Sequence, residues 1–250
     1  MELPMWCKPP AVLRLERDQA QVWRARLDLA RAELQNCFRV LTEDERARAA
    51  RFCFARDRDW FIATRGILRI ILSRYLDCDP AQLRFDYNAY GKPALGQNQD
   101  DAAIEFNLSH SNGLALYAIT RARAIGIDLE WINPARAEMA IAERFFSPTE
   151  VAILRALPRA LQVPAFFNCW TRKEAFVKAR GLGLSLPLNA FDVSLMPGMA
   201  AMLLRVNGDP DAARDWSLYD LSPAPDFAAT LAIEGNDCQI EKWEWQTHTS

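Results

Sequence analysis

Apolar positions recur along the chain with a helical period in some stretches and a strand period in others. The helical period is clearest in FFNCWTRKEAFVKARGLGLSLPL, residues 166 to 188. Phe167, Trp170, Glu174 and Val177 follow one another at spacings of three, four and three, which puts them on one helical face. Pro164 marks a helix start and Gly181 a stop. Three of the four positions are apolar and one is a carboxylate. A carboxylate on a core-facing stripe is costly unless it is paired or holds a metal. Lys173 precedes it and Lys178 lies one turn on. The helix alone also allows a surface Glu174–Lys178 pair, contributing about 0.2–0.5 kcal/mol.

Elsewhere the two periods trade places. Leu13 and Leu15, then Leu27 and Leu29, alternate with polar residues and predict short strands around a polar connection. Leu41 to Arg51 predicts a helix capped by Thr42, with Glu45 three residues on as in a capping box. Asp57 to Tyr75 predicts a second helix, with Arg65 and Arg69 one turn apart. Leu83 and Phe85 predict a short strand, and Tyr90-Gly91-Lys92-Pro93 a turn that presents a lysine. Phe106 to Thr120 predicts strand, loop and strand, with Ser109 and His110 in the loop beside Asn112-Gly113. In Gly126 to Glu130 strand alternation sends Ile127 and Leu129 to the core and sets Asp128 and Glu130 side by side on the other face. Phe145 to Leu154 predicts a helix capped by Ser147, with Pro148 first and Glu150 third. Phe191–Val206, Trp216–Ile233 and Ile240–Trp245 predict strands.

Phe106–Ile119 and Tyr219–Ile233 share an aromatic, a polar residue, Leu-Ser, a loop and an apolar strand. The expected fold class is therefore α+β, with two similar α/β halves at residues 1–123 and 124–250.

Composition narrows the function classes. A net charge of −2 points to neither nucleic acid nor a membrane surface. Eight arginines lie between Arg46 and Arg74, a stretch suited to phosphates, to an acidic partner or to solvent alone. The six cysteines form no CxxC pair. The N-terminus has no signal-like apolar run and no stretch approaches a membrane span, so a cytoplasmic, reduced protein is expected. The two histidines are His110 and His248.

Asp128 and Glu130 repel each other on one strand face, and a hard cation between them removes that cost. Mg²⁺ is often held by one or two carboxylates, with waters and substrate phosphates completing its shell.

NLSHS at 107–111, GIDLE at 126–130, RFFSPTE at 144–150 and WTRKEAFVKARGLGLSLPL at 170–188 together resemble the 4'-phosphopantetheinyl transferases. Length and motif order are similar to the Sfp-type, surfactin-activating branch. The resemblance spans about residues 41 to 193. It implies two halves related by a pseudo-twofold axis, with the active site at their interface. It implies transfer of 4'-phosphopantetheine from coenzyme A to a serine of an acyl or peptidyl carrier protein, with release of 3',5'-ADP. Asp128, Glu130 and Glu174 would hold Mg²⁺, or Mn²⁺ in its place. Lys178 would contact phosphate near the reacting centre, and Lys173, its motif neighbour, would also bind coenzyme A. Ser109 and His110 would hold the 3'-phosphate end of coenzyme A, and Lys92 and Arg65 further phosphates. Arg48 matches a basic position of the family, but Glu45 stands three residues before it. Glu174 is the first candidate for general base and Glu150 the second. The helix from Ser147, with Arg155 and Arg159, is a candidate carrier surface. The duplication implies a monomer. Two other classes use the same residues: a non-catalytic relative that binds coenzyme A or a carrier, and a magnesium-dependent phosphohydrolase.

Overall fold

The computed structural model describes residues 5–96, 103–209, 211–221 and 223–246, so His248 lies outside the described residues. The first half contains β1 (Gln19–Arg26), α1 (Arg31–Arg39), α2 (Glu43–Ala49), α3 (Ala55–Leu76), β2 (Phe85–Tyr87), β3 (Pro93–Leu95), β4 (Ile104–Ser111) and β5 (Leu114–Arg121). The second contains β6 (Ile125–Trp131), α4 (Met139–Phe145), α5 (Pro148–Ala156), α6 (Arg159–Arg180), β7 (Phe191–Val193), β8 (Leu203–Val206), β9 (Trp216–Asp220), β10 (Phe227–Glu234) and β11 (Gln239–Glu244).

One plan is used twice. In the first sheet β5 lies antiparallel between β1 and β4, and in the second β10 lies antiparallel between β6 and β9. A 22-residue helix and a two-stranded hairpin separate the first strand from the later two in each case. The sequence similarity between Phe106–Ile119 and Tyr219–Ile233 falls on β4–β5 and β9–β10. The last strand breaks the division at 123/124: β11 returns to the first sheet and pairs parallel with β1.

Each long helix packs on its own sheet, α3 through Ile67, Leu68 and Ile71 and α6 through Phe167, Phe176 and Val177. A third core joins the halves, with Val22 and Leu116 from one sheet and Ile127 and Leu231 from the other.

Two local expectations are corrected. One strand, β1, occupies the stretch read as a polar connection. It lies between β11 and β5 and is buried on both faces, so Ala20, Gln21, Val22 and Trp23 are all inside and no alternation marks it. Gln21 is kept there by donating to the Arg14 carbonyl and to Glu241. Pro164 does not start α6, which begins five residues earlier at Arg159. The proline forfeits one backbone hydrogen bond near the helix start, and burial of Ala165, Phe166 and Phe167 carries the helix through it.

The halves meet along β4 and β6 through side chains rather than a backbone ladder. Asn107, Ser109 and Ser111 of β4 accept from the N–H groups of Ile127, Leu129 and Trp131 of β6, at 2.9, 3.3 and 3.0 Å. Gly126 brings β6 onto α6: a Cβ there would stand 2.1 Å from the Ala175 carbonyl oxygen and 2.3 Å from the Ala179 nitrogen. That contact sets Asp128 beside the last turns of α6.

Candidate active site

A cleft of about 900 Å³ opens between the halves. The β2–β3 turn and β4 supply one wall, with Lys92 and Leu108. The other wall is α6 with the end of α4, presenting Trp170, Glu174, Lys178 and Arg144.

The charged centre is built on β6 and α6. Asp128 is only 3% exposed. Its Oδ1 accepts from Lys178 Nζ at 2.6 Å and from Ser109 Oγ at 3.1 Å. Its Oδ2 is buried with no hydrogen-bond partner. Lys178 also donates to Ser109 Oγ and to the Ile127 carbonyl. Glu130 accepts from Ser111 Oγ at 3.2 Å. Burial, and then the charge of Asp128, raise the carboxyl pKa of both Glu130 and Glu174 above the usual carboxylate value.

Among the described residues no three His, Cys, Asp or Glu side chains already converge on one point as a metal shell. Lys178 is the cation that faces Asp128 here. The donor set nevertheless fits a hard divalent cation. An Asp128 oxygen lacks any partner, and the two flanking carboxylates resist ionising because of burial and Asp128.

The other expected site residues divide. Ser109 and His110 lie within β4, not in the loop, which is the two-residue turn Asn112-Gly113 with both residues at positive φ. Ser109 is buried against Asp128, while neighbouring His110 is exposed. Lys92 lines the cleft and donates to the carbonyls of Ile125 and Ala179 at 3.0 and 3.3 Å, tying the turn to the second half. Arg65 is held by Glu45 and the Tyr87 hydroxyl. Glu45 also pairs with the buried Arg69. Burial pushes the Glu45 carboxyl up, but Arg69 and Arg65 outweigh it and hold it below its usual value. Arg48 is outside the main cleft, beside Asp44, Arg51 and Phe52 in a separate depression.

Lys173 and Glu150 leave the set that the cleft brings together. Lys173 is 0% and Glu150 1% exposed, and they pair with each other at 2.8 Å. Successive residues on a helix point about 100° apart, so Lys173 turns inward where Glu174 turns to the cleft. Neither can touch a bound ligand from there.

Asn107, Ser111, Arg144 and Trp170 were missed as site residues. The alternation Asn107-x-Ser109-x-Ser111 was a readable signal, a polar residue at every second position of a strand otherwise rich in apolar ones.

Comparison with known proteins decides the family. Residues 124–232 match the 4'-phosphopantetheinyl transferase superfamily, and residues 25–121 match the N-terminal family of 4'-phosphopantetheinyl transferase. The 4'-phosphopantetheinyl transferase HetI of Nostoc sp. is 40% identical over 240 residues, 96% of this chain and 98% of that protein. The chain belongs to the 4'-phosphopantetheinyl transferase family. The 4'-phosphopantetheinyl transferase Sfp of Bacillus subtilis is 34% identical over 167 residues, 67% of this chain and 72% of that protein. The Thermotoga maritima holo-[acyl-carrier-protein] synthase superposes over 45% of this chain and 63% of that one, with a TM-score of 0.37 and 22% identity. The two matched regions of the transferase chain fall on either side of the cleft, one on each half.

Proposed function

We propose that this transferase moves 4'-phosphopantetheine from coenzyme A to a serine hydroxyl of an acyl or peptidyl carrier protein and releases 3',5'-ADP. One observation carries the reading. Lys178 and Glu174 line a cleft shared by both halves, and Lys178 pairs there with the buried Asp128, which has one unpartnered oxygen and whose charge, after burial, raises the Glu130 and Glu174 carboxyls.

The carrier serine oxygen forms a bond to the phosphorus that bears pantetheine, and the bond from that phosphorus to the 3',5'-ADP oxygen breaks. The serine proton passes to a base. Glu174 is that base: it lines the cleft, and burial raises its carboxyl pKa, which makes it a stronger proton acceptor than an ordinary carboxylate. Glu150 is excluded from the role by its burial. Lys178 supplies positive charge to the pyrophosphate, and Lys92 and Arg144 add to it from the cleft walls. Asp128, Glu130 and Glu174 would hold Mg²⁺, or Mn²⁺, which when bound supplies further charge neutralisation at the pyrophosphate. The chain works as a monomer, because both walls of the cleft come from one chain. No helix among the described residues is long and apolar enough to cross a membrane, and all six cysteines are free, which suits a cytoplasmic enzyme.

The test is to follow 3',5'-ADP by chromatography with coenzyme A, Mg²⁺ and an apo carrier protein. Release that requires the carrier supports transfer. Release without it would mean that water is the acceptor, as in a phosphohydrolase. Binding of coenzyme A with no release would mean a non-catalytic relative.

A further inference from the structure

The Lys173–Glu150 pair is sealed from solvent and fully engaged. Lys173 Nζ donates to the carbonyls of Leu188 and Phe191, at 2.7 and 2.5 Å, and pairs with Glu150 Oε2 at 2.8 Å. It also stands 4.4 Å above the Phe191 ring. Glu150 Oε2 accepts from the Ser147 N–H, and Oε1 from the Val193 N–H, both at 2.8 Å. The pair therefore ties three pieces of chain together: the start of α5, the middle of α6 and the segment from Leu188 to Val193. Leu186, Pro187, Leu188 and Asn189, at and just before that segment, line the cleft.

A lone buried charge is far costlier than a paired one, so each partner requires the other. An apolar pair would fill the same space, but it could not hold the Leu188 and Phe191 carbonyls. The ion pair thus does what packing alone would not: it fixes where a short, irregular backbone segment stands relative to α6.

We propose that Lys173 and Glu150 are positioning residues that hold the 186–193 wall of the coenzyme A cleft against α6. Neither contacts phosphate or takes the serine proton. The proposal rests on the coenzyme A reading only for its ligand.

The experiment uses the full chain with Glu150→Gln, Lys173→Met and the double variant. Coenzyme A affinity is read by calorimetry, and backbone order by hydrogen exchange at the Val193 amide and residues 188–192. Each single variant is expected to weaken coenzyme A about tenfold, as follows when buried polar groups lose their partners. The double variant is expected to be no weaker than Lys173→Met alone. Exchange should quicken at Val193 in all three. KM for coenzyme A should rise while kcat at saturating coenzyme A moves much less. Parental affinity and parental exchange in Glu150→Gln, with loss in Lys173→Met alone, would overturn the proposal and make Lys173 a direct ligand. Should the singles fail to fold, Glu150→Leu/Lys173→Met leaves no charge unpaired. Parental affinity in that variant would equally overturn the proposal. A parent that binds no coenzyme A would remove the transferase reading, while exchange at Val193 would still decide the tie.

Discussion

Lys178 and Lys173 are five residues apart on one helix and have different work. Lys178 reaches a half-open cleft and meets Asp128, whereas Lys173 is locked among backbone carbonyls. Asp128 and Glu130 were legible in the sequence because strand alternation fixes a face. Lys173 was not, because a motif records adjacency and not direction. A second buried lysine allows a pH test. Lys242 donates to the Leu221 carbonyl at 2.8 Å and lies 5.4 Å above the Trp6 ring. Burial, and then Arg24, push its pKa down from 10.5 to about 8. Between those two values the folded chain binds fewer protons than the unfolded one, so its stability rises with pH there. Lys242→Met abolishes that rise. From about pH 7 to about pH 10 the parent should gain roughly 1–3 kcal/mol on the variant, at about 1.4 kcal/mol per pKa unit. Denaturant unfolding at the two pH values measures it, and a constant difference would contradict the burial argument.

Among the elements, the capping boxes at Thr42 and Ser147 mark the starts of α2 and α5, whereas the proline signal at Pro164 falls inside α6. Ser147, Pro148 and Glu150 open α5 as expected, and the Ser147–Glu150 reciprocal bonds form at 3.2 and 2.8 Å. The strand β1 is buried on both faces, so its sequence carries no strand period. Helix α1 leaves no apolar stripe in the sequence because it is short, mostly polar and buries only Cys37. The contact between β6 and α6 is the element-scale feature on which the site depends. Gly126→Ala would drive a methyl into the Ala175 carbonyl and the Ala179 nitrogen, both backbone atoms with nowhere to go. It should destabilise the fold by at least about 3 kcal/mol, at the upper end of overpacking costs. Thermal or denaturant unfolding checks this, and parental stability in the variant would mean that the two elements do not touch as described.

At the scale of the molecule, the repeated strand order explains why one chain suffices for a two-walled cleft. The repeat was visible as the Leu-Ser similarity between Phe106–Ile119 and Tyr219–Ile233. The return of β11 to the first sheet was not, because parallel pairing between distant strands leaves no local mark on sequence. Seam and charged centre share a residue: Ser109 accepts from the β6 backbone and also touches Asp128 and Lys178. Joining the halves and arranging the charged centre are thus one construction. We propose that this construction transfers phosphopantetheine to a carrier serine, with Glu174 as base. That transfer is read from the intact mass of an apo carrier protein after incubation with the chain, coenzyme A and Mg²⁺. The carrier should gain one phosphopantetheine, should gain none when EDTA is present from the start, and should gain it about a hundredfold or more slowly with Glu174→Ala, as for removal of a general base. An unmodified carrier with the parent chain would rule out the transfer, and a full gain at the parental rate with Glu174→Ala would rule out Glu174 as the base.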